Sequence, residues 1–207
     1  MPLMSRPLVL PWEIIERIIN YASDDLDLLR SFSLTCRQLR PRSFSLIIAQ
    51  HVFLCSKDRM LAFRNILLAN TKLQRLVHSI TISPADFPPF PLVKVLPHLS
   101  TLGLISHGYE KCNGPQERPA IVLHSMLLGW YRSLGTRIRT LSLDHLSFPD
   151  CRELCRLLIA FPNVIQITCN DIYITSPANR GPAMEVVKAK LSDQLRLETL
   201  EVRVQAR

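Results

Sequence analysis

Five times in its 207 residues the chain repeats one spacing, apolar-x-x-apolar-x-apolar. The sets are Val77, Ile80, Ile82; Leu99, Leu102, Leu104; Ile138, Leu141, Leu143; Val164, Ile167, Cys169; and Leu197, Leu200, Val202. Successive side chains of a strand point to opposite sides, so alternation at the last two positions of each set predicts a strand with one buried face. Between the sets lie segments read as helical, 91–96, 121–134, 150–160 and 184–195. Leu96-Pro97-His98-Leu99 and Phe161-Pro162-Asn163-Val164 are the same kind of join: a helix end, a proline that cannot continue the helix, then a strand. A strand and helix pair of this size cannot bury its apolar side alone. Neighbours must stack, and the strands are expected to line up as a mainly parallel, curved sheet.

The stretch 10–41, LPWEIIERIINYASDDLDLLRSFSLTCRQLRP, has a different rhythm. Ile14, Ile15, Ile18 and Ile19 paint one side of a helix, and Pro11 suits its first position because a proline there gives up no usable N–H. Asp24 and Asp25 offer caps for a second helix carrying Leu26, Leu28, Leu29, Phe32 and Leu34, and Pro41 is expected to stop the run. Beyond it, 42–48 would finish a module of three short helices. His51 to Leu54 then reads as a short strand, and Ser56 as the cap of a helix bearing Met60, Leu61, Phe63, Ile66, Leu67 and Leu68.

Leu10-Pro11, Glu13-Ile14-Ile15, Ile18-Ile19, Leu28-Leu29, and Leu34 to Cys36-Arg37 followed by Arg40-Pro41 form an ordered series that resembles the F-box, in the form common among fungal F-box proteins. Thr35 stands where a valine is frequent and Leu39 where a tryptophan is usual. The second half resembles a degenerate leucine-rich-repeat array of the type often found behind an F-box; its step of roughly 20 to 40 residues is less regular than the usual repeat. An ordinary α/β domain whose strands share a spacing is the alternative. The expected fold class is therefore α/β, an N-terminal three-helix F-box module followed by an irregular leucine-rich-repeat-like solenoid. The expected segments are a tail at 1–6, the helical module at 7–48 and the repeat region at 49–207.

Composition narrows the class of activity. A hydrophobic share of 47% argues for a folded chain. The formal net charge of +8 would suggest nucleic acid only if the basic residues gathered on one surface, and they are scattered. Six irregularly spaced cysteines behind no secretory pattern suggest a reducing compartment, cytoplasmic or nuclear. No apolar run approaches a membrane span. A G-x-S-x-G elbow and a phosphate-binding glycine loop are both missing from the sequence. Cys151 and Cys155, with His145 upstream and Cys169 on the next strand, lack the C-x-x-C spacing typical of zinc and read as packing against the sheet. No catalytic set, metal or cofactor is expected.

The resemblance implies an adaptor. The helical module would bind the Skp-family linker of a cullin-based ubiquitin ligase through Leu10, Pro11, Ile14, Ile15, Ile18, Leu28, Leu29 and Leu34, while the repeat region would hold a target protein. The widest interruption between repeats, 106–119, is nominated as a target-contacting loop through Tyr109, Glu110, Lys111 and Arg118. The competing possibility is a non-catalytic scaffold with a decayed F-box and no ligase connection. Equally, the apolar residues of the first helices would serve only internal packing if all of them were buried.

Overall fold

A computed structural model describes residues 10–84, 90–92, 94–106, 120–176, 189 and 196–203. The chain divides into two compact units between Gln50 and His51. The first holds three helices, α1 (Trp12–Tyr21), α2 (Leu26–Thr35) and α3 (Arg40–Gln50). Its core is small: Ile19, Ala22 and Leu29 are buried, with Ile15, Phe32, Leu39, Leu46 and Ile47 packed around them.

The second unit is mixed α/β. In chain order it contains β1 (Val52–Leu54), α4 (Lys57–Ala69), α5 (Thr71–Gln74), β2 (Ser79–Ile82), a 3₁₀ turn at Phe90–Leu92, β3 (Thr101–Ile105), α6 (Ser125–Gly135), β4 (Thr140–Asp144), β5 (Ser147–Phe148), α7 (Cys151–Ile159), β6 (Gln166–Asn170), β7 (Tyr173–Ile174) and β8 (Thr199–Arg203). Six strands form one sheet in the order β1-β2-β3-β4-β6-β8, every pair parallel. Register aligns the repeated spacing: Ile80 lies opposite Leu102, Leu102 opposite Leu141, Leu141 opposite Ile167 and Ile167 opposite Leu200. The inner row is fully buried on β2, β3 and β4, whereas Leu200 and Val202 on β8 are exposed. The opposite face carries small polar side chains, Thr101, Thr140, Ser142 and Thr168 among them. Gly103 leaves room on that face for Thr81 of the next strand: a Cβ there would sit 2.1 Å from the Thr81 Oγ1, so that hydroxyl would have to turn away.

Four strands of the large sheet, β3, β4, β6 and β8, start in one repeated way. The carbonyls of His78, Ser100, Arg139 and Ile165 each accept two successive backbone N–H groups of the following strand: Ser100 and Thr101, Arg139 and Thr140, Ile165 and Gln166, and Glu198 and Thr199. Side chains brace the joins. Arg137 Nη1 donates to the Leu96 carbonyl at 3.4 Å, and Asn163 Nδ2 to the Thr136 carbonyl at 2.7 Å.

Several expectations need correction. The helix expected at 91–96 is only the short 3₁₀ turn, since six residues barely offset the cost of helix nucleation and Pro97 disfavours helical backbone at Leu96 before it. The helix expected from Ile121 begins at Ser125. Ile121 N donates to the Ser147 carbonyl at 2.7 Å, which ties the non-helical residues before Ser125 to β5. The segment 184–195 lies outside the described residues apart from Ala189. The parallel pair β5 and β7 forms a second, two-stranded sheet that no periodicity foretells. Pro41 does not stop a helix: α2 ends at Thr35, and Pro41 lies in the first turn of α3, where a missing N–H costs nothing.

Tyr131 is buried on α6 against Phe161, ring centroids 5.7 Å apart, and its hydroxyl has no hydrogen-bond partner among the described residues. Burial pushes the phenol's pKa upward. A buried hydroxyl without a partner costs about 1 to 3 kcal/mol. Tyr131→Phe is therefore expected to raise the thermal midpoint by about 2 to 12 °C. A lower midpoint in calorimetry would reveal a partner for that hydroxyl.

Candidate partner-binding site

Pro11 precedes α1 with φ −57° and ψ 142°, one position outside the helix rather than at its first residue. Its carbonyl accepts from the backbone N–H groups of Ile14 and Ile15 at 3.1 and 3.3 Å, so the proline starts the helix without supplying a side-chain cap. At the other end, Asp25 caps α2: its Oδ1 accepts from the N–H groups of Asp27 and Leu28 at 3.1 and 2.9 Å. Asp24, expected to share that role, instead accepts from the Ser23 hydroxyl at 3.4 Å. The turn into α3 closes through Arg40 N to the Cys36 carbonyl and Ser43 N to the Leu39 carbonyl.

These ends fix how α1 presents its surface. Residues three or four apart share a helical face. Ile15, Ile19 and Ala22 form the inward row and belong to the core. Ile14, Ile18 and Tyr21 form the adjacent row, and they are exposed at 39%, 45% and 90%. The apolar arc of α1 is thus wider than the unit's own core uses. On α2 the same division separates Leu29, fully buried, from Leu28 and Leu34, exposed at 41% and 85%.

Of the eight residues expected to touch a partner, the structure leaves Leu10, Pro11, Ile14, Ile18, Leu28 and Leu34 at the surface. Ile15 is half-buried and packs on the core. Leu29 is corrected from surface anchor to core residue, because its side chain is sealed among Ile19, Ala22 and their neighbours. The four loop residues Tyr109, Glu110, Lys111 and Arg118 lie outside the described residues.

Two aromatic side chains that the sequence pattern did not single out join this surface. Tyr21 continues the row of Ile14 and Ile18 by one further turn, a signal available by carrying the i, i+4, i+7 count past Ile18. Trp12 is 38% exposed, and its indole Nε1 donates to Glu16 Oε1 at 3.2 Å. Together with Leu10, Pro11, Ile15 and Gln38 it lines a groove of about 570 Å³. Exposed aromatics are the residues most often found to dominate protein interfaces.

In the second unit the polar side chains are tied to one another across strands. Asp144 accepts from the Ser142 hydroxyl at 2.7 Å and from Asn170 Nδ2, while His145 Nδ1 lies 3.1 Å from Asp171 Oδ2. His145 and Asp171 occupy equivalent positions just after β4 and β6, with φ of 55° and 56°. Both take the left-handed conformation that turns the chain from the large sheet into the small one. Among the described residues, no three His, Cys, Asp or Glu side chains converge as a metal site would require. Cys151 and Cys155 are half-buried on α7.

No family model, curated protein or solved structure matches this chain.

Proposed function

We propose that the chain is an F-box-type adaptor, which binds the Skp-family linker of a cullin-based ubiquitin ligase through its first unit and a target protein through its second. The observation that carries this reading is the exposed row Ile14, Ile18 and Tyr21 on α1, apolar surface left over after the unit has filled its own core. Such surface costs solubility unless another protein covers it. The three-helix arrangement at residues 12–50, where the F-box resemblance lies, supports the same reading. The leucine-rich-repeat-like character of the second unit is supported by the parallel strands in chain order, the aligned apolar row and the two-donor carbonyl that recurs at the starts of β3, β4, β6 and β8.

In this reading the chain performs no covalent chemistry. Holding a target beside the ligase raises its effective concentration at the ubiquitin-charged enzyme, and proximity accelerates transfer. The adaptor would work in the cytoplasm or nucleus; no helix among the described residues is long and apolar enough to cross a membrane.

The test is direct. The purified chain mixed with a Skp-family linker should elute from gel filtration as a one-to-one complex at micromolar concentration. Separate elution of the two proteins would remove the adaptor reading and leave a scaffold without a ligase.

A further inference from the structure

Two apolar rows on one helix create an ambiguity that burial alone resolves poorly. Ile15 and Ile19 face inward while Ile14 and Ile18 face outward, and the rows are separated by a single residue step, about 100° around the helix. Turning α1 by that step would place Ile14 and Ile18 where Ile15 and Ile19 sit, and only the exchange of Tyr21 for the buried Ala22 would oppose it by size. For the two isoleucine pairs the hydrophobic effect is non-directional and separates the orientations weakly. A directional contact adds to that choice.

Arg42 on α3 makes one. Its Nε and Nη2 both donate to Oδ1 of Asn20, at 2.9 and 2.7 Å. Among the described residues of the first unit this is the only side-chain hydrogen bond that connects two helices; the rest reach no more than four residues along the chain. Asn20 directly follows the inward Ile19, so a one-step turn of α1 would swing its carbonyl oxygen away from the guanidinium. We infer that Arg42 is a positioning residue: it selects the orientation of α1 in which Ile14, Ile18 and Tyr21 face a partner. A single polar contact that fixes the register of otherwise interchangeable apolar surfaces has precedent in coiled coils.

The inference rests on the adaptor reading for one readout and is independent of it for the other. Asn20→Ala, Arg42→Met and their combination are compared by calorimetric titration with a Skp-family linker. Each single variant should bind about tenfold more weakly. The pair should bind no more weakly than either, because both changes break one contact. Arg42→Lys, which keeps a charge but loses the planar fork, should fall between. In parallel, the Trp12 indole N–H resonance of ¹⁵N-labelled protein should be single in the wild type, and should split or broaden in Arg42→Met as the second orientation becomes populated.

Wild-type affinity in Arg42→Met, or an indole resonance unchanged by that substitution, overturns the positioning role. If the unaltered protein does not bind the linker at all, the adaptor reading falls by itself. The indole spectrum then decides about Arg42.

Discussion

Ile14→Asp combined with Leu28→Asp is expected to abolish the complex with a Skp-family linker while leaving the helical circular dichroism of the chain unchanged. Both side chains are about two-fifths exposed, so neither substitution introduces a charge into the core. Covering the exposed two-fifths of each by a partner contributes about 0.6 to 1.2 kcal/mol, and an aspartate there adds the larger cost of pressing a charge against the partner's apolar surface. Losing both reduces affinity by about two to four orders of magnitude, which takes a micromolar complex beyond detection by gel filtration. Leu29→Asp supplies the contrast. It lies one residue from Leu28 but is fully buried, so it should unfold the first unit rather than disarm its surface. A double variant that still binds tightly would place the interface elsewhere; one that loses its helical signal would show that Ile14 and Leu28 serve the core.

Gly135→Ala should be the most damaging single methyl group in the second unit. A Cβ at Gly135 would lie 1.9 Å from the carbonyl oxygen of Ala160, 2.9 Å from its carbonyl carbon and 3.0 Å from Cα of Phe161. All three are backbone atoms, which cannot swing aside as a side chain would. The last turn of α6 must therefore separate from the end of α7, and Phe161 and Tyr131 lose their fit. Overpacking of this kind costs about 1 to 3 kcal/mol, and more where backbone is involved. Gly129 on the same helix is an internal control. A methyl group added there would meet nothing within 4 Å among the described residues, and alanine should stabilise by about 0.5 to 1 kcal/mol. Chemical denaturation of the two variants should move in opposite directions. Equal midpoints would mean that α6 does not approach Ala160 this closely.

Much of the second unit is legible in the sequence because its pattern is enforced by burial. Ile80, Leu102, Leu141 and Ile167 fall in one register row, as the repeated spacing requires, and the N-caps at Ser56 and Asp150 stand where short polar side chains precede apolar runs. What stays hidden is shorter than any period or decided by distant partners. The strands Ser147–Phe148 and Tyr173–Ile174 are too brief to alternate. Residues 121–124 look helical, but a backbone hydrogen bond from Ile121 to Ser147 ties their start to β5 instead. In the first unit, the run of isoleucines announces an amphipathic helix without saying which row faces inward. Leu29 reads as a surface anchor for the same reason: adjacent leucines at 28 and 29 look alike until the helix has a neighbour.

The two-donor carbonyl that opens β3, β4, β6 and β8 has a consequence for how such a chain can change. Because the start of each of these four strands is clamped locally to the one before it, the connecting arm between clamps can grow or shrink without shifting the alignment downstream. Lengthening a surface connection is entropically inexpensive, with each doubling costing only about 0.6 kcal/mol. Arms of unequal size, such as residues 106–139 between β3 and β4 beside residues 83–100 between β2 and β3, are then compatible with one continuous sheet. A chain built this way can acquire new surface by insertion at one connection while every other strand keeps its place.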